Sequence, residues 1–262
     1  AGVDTDWMSQ PLQVGVGQNY NVRLEGGRDE FRWGTSLSYR DVTGAMKGSS
    51  RRTFNGDITL MYSYKNLIFR NYTNISNTLS DESPYGSFST YVNQQPYNRP
   101  YDDEGKLIRY FDGFYPDSED VQNPLYDATL NTFDKSRTLG IINNFSIEWN
   151  ILPELTLRGQ LGVSTSRGTS DNFLPAEHSS FSSVSYEDGD GIKRKGSYTY
   201  GTNENFSYDG RLTLSYSKVF RDKHQVYVGL DYSISESKGE NYSFTAQGFS
   251  NQDLSSISNA LQ

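Results

Sequence analysis

Two histidines, His178 and His224, are the only imidazoles in the chain, and neither has neighbours that would make it catalytic. No G-x-S-x-G elbow supplies a nucleophile and no H-E-x-x-H pair supplies a metal site, so both read as ordinary polar positions. In "EDGDG", residues 187–191, Asp188 and Asp190 stand at the two-residue spacing of a calcium loop. Ile192 fills the next ligand position and no Glu closes the site, so a solvated turn is the simpler reading. Asp102 and Asp103 are a carboxylate pair, but glycoside hydrolysis needs two such groups held across a sugar ring. Adjacent in "PYDDEGKL", they are better placed to build a hairpin turn. Cysteine is absent, which removes disulfides, thiol chemistry and cysteine zinc sites. No catalytic residue, metal ligand or cofactor is assigned, and the chain is expected not to be an enzyme.

Binding chemistry is concentrated elsewhere. The stretch 78–136 carries Tyr85, Phe88, Tyr91, Tyr97, Tyr101, Tyr110, Phe111, Phe114, Tyr115 and Tyr126 among Asn, Gln, Asp and Arg. Aromatic faces beside planar hydrogen-bonding groups suit the apolar face and the hydroxyls of a sugar. Tyr97, Tyr101, Tyr110 and Phe114 are the candidate ligand contacts. The competing reading is that these rings pack the loop against itself or against a partner. Net charge −8, from 32 acidic and 24 basic residues, argues against nucleic acid as that partner.

The elements that must carry this loop are strands. Eight alternating segments run roughly over 18–26, 31–41, 53–63, 67–77, 137–149, 155–166, 205–218 and 224–237, several near the ~9–11 residues of a tilted membrane-crossing strand. The fourth, "NLIFRNYTNISN", alternates poorly. Connections alternate in length: "GRDE", "YKN", "NILPEL" and "KVFRDK" are short, while 42–52, 78–136, 167–204 and the segment after 237 are longer. Tight turns at one end and loops at the other are what sequential antiparallel strands of an outer-membrane barrel show. A soluble Greek-key sandwich has less reason to sort its loops by end.

One face of these strands reads Tyr20, Val22, Leu24; Phe31, Trp33, Leu37, Tyr39; Phe54, Ile58, Leu60, Tyr62; Phe206, Tyr208, Leu212, Leu214, Tyr216; and Val226, Val228, Leu230, Tyr232, Ile234, with no ionised group among them. The other holds Arg23, Glu25, Arg32, Arg40, Asp57, Glu148, Arg158, Asp209, Arg211 and Asp231, as a wet lumen would. Aromatics cluster at both strand ends: Trp33, Tyr62, Trp149, Tyr216 and Phe220 near the short turns, and Tyr39, Phe54 and Phe206 near the loops. These resemble two interfacial girdles, though aromatics also favour strands generally. No run approaches the ~18 apolar residues of a membrane helix. Five N-x-S/T sequons, at Asn71, Asn74, Asn144, Asn205 and Asn241, fall largely inside strands and read as chance in an Asn- and Ser-rich chain. The residues alone leave two architectures open, a transmembrane barrel and a soluble β-sandwich or barrel.

"TDWMSQPLQVGVGQNYNVRLEGG" (5–27) and "SLSYRDVTGAMKGSSRRTFNGDITLMY" (36–62), with "PYDDEGKL" (100–107), "NPLYD" (123–127), the hairpin 143–164 and "GFSNQDLSS" (248–256), resemble the barrel of SusC-like TonB-dependent transporters, in the family's order. The resemblance implies an all-β fold: an antiparallel up-and-down transmembrane β-barrel of 22 strands, of which residues 1–262 would supply about eight. The plug and the remaining strands would lie elsewhere. The start on "AGVDTDWMSQ", with neither initiator Met nor signal peptide, fits an internal piece of a longer precursor. By the same resemblance, the loops near 78–136 and 167–204 would be extracellular. The function would be import of oligosaccharides, or of peptides, across the outer membrane of a Gram-negative bacterium. The expected partners are a SusD-like lipoprotein, the TonB complex acting through the plug, outer-membrane lipid, and an oligosaccharide or peptide ligand. The alternative is a non-transporting surface adhesin or carbohydrate-binding β protein.

Overall fold

The computed structural model describes residues 2–111, 121–187, 189–250, 253 and 255–261. Its strands are β1 (Val16–Arg28), β2 (Phe31–Thr43), β3 (Ser50–Tyr64), β4 (Leu67–Asp81), β5 (Tyr110–Phe111), β6 (Val121–Gln122), β7 (Phe133–Leu152), β8 (Leu155–Leu174), β9 (Ser197–Phe220) and β10 (His224–Gln247). Eight of them form one antiparallel sheet in the order β1-β2-β3-β4-β7-β8-β9-β10, each strand beside its successor, while β5 and β6 pair separately inside a loop. Tight connections close four hairpins, with Lys65, Arg221 and Asp222 at φ values of 53°, 52° and 51°. Such left-handed turn residues match the twist of the strands they join. The opposite end carries the connections 44–49, 82–132 and 175–196. All five sequon asparagines lie within strands of the sheet.

The strands run past the expected ends, by one to three residues at the short turns of β1, β3, β7 and β9 and by much more on the loop side. β9, for example, begins at Ser197 instead of near Asn205, and β10 runs to Gln247 instead of Ser237. The loops therefore shrink from 78–136 and 167–204 to 82–132 and 175–196. The added residues are mostly polar, with only short clusters of rings such as Tyr198, Tyr200, Tyr242 and Phe244 among them, so they extend the hydrophobic alternation too weakly to read.

Cross-strand register places residues of one parity on one face. Val22, Leu37, Gly56, Ile75, Ile141, Thr165, Phe206 and Lys238 form one rung. The middle of the apolar run in β10 is Leu230, about eight residues nearer the short turns than Lys238. A slip of about eight residues over seven strand steps, at ~3.3 Å per residue and ~4.8 Å per step, tilts the strands by about 38° to the apolar band, within the ~35–45° range of membrane barrels. The apolar face is not free of charge beyond that band. Asp41 and Lys218, near strand ends, and Glu236, on the loop side of the apolar run of β10, share its parity where the tilt carries them out of the apolar layer.

Nothing among the described residues covers the apolar face. Val22, Leu230 and Tyr232 are 61%, 65% and 67% exposed, which a sandwich, with its inner faces packed together, does not allow. The buried hydrophobics lie at the loop end instead, in a cluster of Trp7, Tyr91, Phe111 and Leu125 and another of Phe173, Ala246 and Phe249. The sheet is thus a length of barrel wall, all-β and antiparallel, with a packed cap on one end and open edges at β1 and β10.

Candidate functional site

The loop 82–132 folds around its own aromatics. The Trp7 ring meets Phe111 edge-on at 5.6 Å, and Tyr85, Leu107 and Ile108 pack around the buried set. The N-terminal segment straps this loop down. The Trp7 indole N–H donates to the Gln95 carbonyl at 3.0 Å, the Thr5 N–H to Pro96 at 2.8 Å and the Thr5 hydroxyl to Asn98 at 2.9 Å. Tyr91 is almost wholly buried, its hydroxyl donating to the Pro124 carbonyl at 3.2 Å, and burial pushes its ionisation well up.

"NPLYD" is the keystone of this packing. Asn123, with no exposed surface, precedes a one-turn helix α1 (Pro124–Asp127) and caps it, accepting the Leu125 N–H at 3.0 Å. Proline at the first helical position costs no hydrogen bond, because that N–H has no helical partner. The Asn123 amide also donates to the carbonyls of Pro100 at 3.1 Å and Ile108 at 2.8 Å. "PYDDEGKL" is the hairpin beside it: the Asp102 carboxylate accepts the N–H groups of Glu104 and Lys106 at 3.0 and 2.8 Å, and Gly105 sits at φ 81°. The Asp102 carboxylate thus does turn chemistry, while that of Asp103 pairs with Arg99 at 2.8 Å.

Asp127 ties the two long loops together. It accepts the Gln122 side-chain amide and the Ser179 N–H, each at 2.9 Å, and the Ser179 hydroxyl. His178 approaches it to 3.7 Å through Nε2, while Nδ1 accepts the Ser180 N–H at 3.1 Å. Burial holds the His178 pKa below its ordinary value, and the Asp127 carboxylate opposes that shift. Arg109, stacked between the rings of Tyr110 and Tyr126 at 5.1 and 4.8 Å, donates to the Glu177 carbonyl at 2.8 Å. The loops 82–132 and 175–196 are therefore one connected cap. Asp190, once a candidate calcium ligand, is solvated and pairs with Lys193 at 3.1 Å. Its companion Asp188 lies outside the described residues.

The four candidate contacts separate on this cap. Tyr97 and Tyr101 are 60% and 47% exposed. Tyr110 is half-buried beneath Arg109. Phe114 lies outside the described residues. Phe88 and Val92, on the short helix α2 (Phe88–Val92), add exposed apolar surface. The rings were visible in the sequence, but the supports Asn123, Asp127 and Arg109 were not singled out. Asn before Pro at a helix start was the signal that could have found the first.

The face opposite the apolar band is a continuous polar wall. Asp57 accepts Ser36 Oγ at 2.8 Å, Tyr72 OH at 2.7 Å and Asn74 Nδ2 at 2.8 Å. Glu148 and Arg158, flanking the "NILPEL" turn, pair at 3.2 Å, and Thr213 donates to Asp231 at 2.6 Å. A groove of about 640 Å³ near the short turns is lined by Arg23, Glu25, Arg28, Arg32, Trp33 and Met61 among others. This wall can hold water and polar cargo, and it carries charge of both signs.

No family profile matches the chain. It is 27% identical over 253 residues to TonB-dependent receptor P39 of Formosa agariphila, which takes in 95% of this chain and 22% of that protein. It is 26% identical over 187 residues to TonB-dependent receptor SusC of Bacteroides thetaiotaomicron, taking in 63% of this chain and 18% of that one. The chain spans about a fifth of the length of these relatives. Solved structures of the RagAB peptide importer superpose with TM-scores of 0.73 in its closed-closed state and 0.74 in its open-open state, both at 16% identity. They cover 99% and 100% of this chain and 28% and 29% of those chains. At that identity the likeness is one of fold.

Proposed function

We propose, from a likeness to one TonB-dependent receptor over 95% of the chain and to SusC over 63% of it, that the chain is one stretch of the wall and cap of an outer-membrane, TonB-dependent nutrient importer. The single observation that supports this most is the pair of faces: an uncovered apolar band tilted as a membrane barrel requires, backed by a polar wall suited to a wet lumen. Residues 1–262 are then a barrel segment, with 82–132 and 175–196 on the extracellular side and the short turns in the periplasm. The capture surface includes Tyr97, Tyr101 and Tyr110. Their rings suit oligosaccharide, and the same rings with Asn and Arg neighbours suit peptide. A SusD-like lipoprotein closes over the cap, and TonB acts through a plug outside this chain. No group in this stretch carries out covalent chemistry; its work is to bind, orient and enclose.

The test is uptake by cells with and without the full-length protein, supplied separately with labelled oligosaccharides and labelled peptides, in the presence and absence of TonB. Uptake of either class that needs both proteins supports the importer. Outer-membrane localisation with unchanged uptake of both would leave the adhesin reading.

A further inference from the structure

The poorly alternating strand β4 holds a feature that the importer reading does not use. Asn71, Thr73 and Asn143 have the parity of the apolar face, on rungs shared with Leu60, Ile58, Phe145 and Val163. β4 lies three steps from β1, so the tilt puts the middle of the band about three residues below Ile75, at Asn71 and Thr73. These polar side chains therefore face lipid at mid-depth, where water offers no partner. They satisfy one another. Asn71 Nδ2 donates to Asn143 Oδ1 at 3.1 Å, and Asn143 Nδ2 donates to Asn71 Oδ1 at 3.2 Å and to Thr73 Oγ1 at 2.7 Å; Thr73 Oγ1 donates to Asn71 Oδ1 at 3.1 Å. Two amides and a hydroxyl own five donor hydrogens, and four are used within the trio.

The trio bridges β4 and β7, the one seam whose strands are joined through about fifty residues. Turn geometry fixes register in a hairpin, but it has no hold here. The apolar pattern is no stronger a guide to a two-residue slip. In register Leu67, Phe69 and Ile75 pair with Trp149, Ile147 and Ile141, and a slip of two would still set apolar against apolar, as Phe69 against Trp149 with Leu79 against Leu139, or Phe69 against Phe145 with Ile75 against Leu139. The polar trio does discriminate. Sliding β7 so that Asn71 meets Ile147 parts the amides; sliding it the other way sets Asn143 opposite Asn71 and ends its direct pairing with Thr73, which then meets Ile141.

We propose that Asn71, Thr73 and Asn143 form a register lock for the β4–β7 seam, setting where the strands that carry the two long loops emerge. The lock rests on the membrane-wall reading, and its test separates from that reading because it scores strand register, not transport. Cysteine pairs in the full-length protein report register, since this chain has none of its own. Ile75→Cys with Ile141→Cys reads the observed pairing; Ile75→Cys with Leu139→Cys, and Phe69→Cys with Trp149→Cys, read the two slips. In the wild-type background the first pair should cross-link several-fold more than the others. Asn71→Leu with Asn143→Leu makes the wall more apolar, yet should cut in-register cross-linking several-fold and raise a slipped pair. Unchanged in-register yield in that variant overturns the lock. So does unchanged register with loss of an associated membrane protein, which would make the trio a docking patch. If the double variant fails to assemble, Thr73→Val decides. Increased Ile75–Leu139 cross-linking supports the lock, because the amide pair survives that slip, and an unaltered pattern overturns it.

Discussion

Asn123→Ala should loosen the cap without touching the wall. The side chain is fully buried and makes three hydrogen bonds. Pro100 O keeps a second bond, from the Ile108 N–H at 3.0 Å, so truncation orphans two groups, the Leu125 N–H and the Ile108 carbonyl. At about 1–3 kcal/mol per buried orphan, the local loss is roughly 3 kcal/mol, or on the order of a hundredfold in the opening equilibrium. The helix α1 would lose its cap and Asp127 its position, releasing the 175–196 loop as well. The sheet should be indifferent, because its ladder shares no bond with Asn123. Limited proteolysis of the full-length protein in outer-membrane vesicles reads both halves: faster cleavage within 82–132, and unchanged heat-modifiable migration of the barrel. Cleavage within twofold of wild type, or loss of the barrel alongside the loop, would rule out Asn123 as the keystone of the cap alone.

Three further outcomes follow from the same geometry. Leu161→Arg puts a cation on the apolar face near mid-depth, at a cost of about 2–4 kcal/mol, and should lower surface levels of the full-length protein; normal levels contradict the facing assigned here. Deleting 85–126 removes most of the cap and should leave the barrel assembled while reducing uptake or lipoprotein association; if both persist, the cap is not the capture surface. For His178, burial lowers the folded pKa, so the folded loop binds a proton less readily than the unfolded one. The contribution to stability is present above the unfolded pKa of about 6.5 and is lost as pH falls below it. Hydrogen-exchange protection at Ser179–Phe181, with rates corrected for the intrinsic pH dependence of amide exchange, should fall from pH 7.5 to 5.5, whereas rising protection would mean that the Asp127 attraction prevails.

Strand existence was legible because a wall between lipid and water forces period-two contrast. It worked best where contrast is greatest, as in Val226 to Ile234. It failed where apolar residues are sparse, as in the loop-side ends of β9 and β10, and in β4, where Asn71 and Thr73 replace the expected apolar residues. The loop aromatics were visible as types but not as roles. Composition cannot tell that Tyr91 and Phe111 are core while Tyr97 and Tyr101 are surface, because that division depends on Trp7 arriving from before β1 and Leu125 from the far end of the loop. The inter-loop link through Asp127 and Ser179 joins residues too far apart for local pattern to announce.

In the proposed barrel wall, one parity of the sheet meets lipid and the other meets water. Single cysteines labelled with a fluorophore at Leu161 and at its neighbour Gln160, in the full-length protein reconstituted in bilayers, test it in adjacent residues of one strand. Brominated lipid should quench the label at 161 and spare 160, while aqueous iodide should do the reverse. Equal quenching of both labels by iodide, or the opposite assignment, would contradict the account.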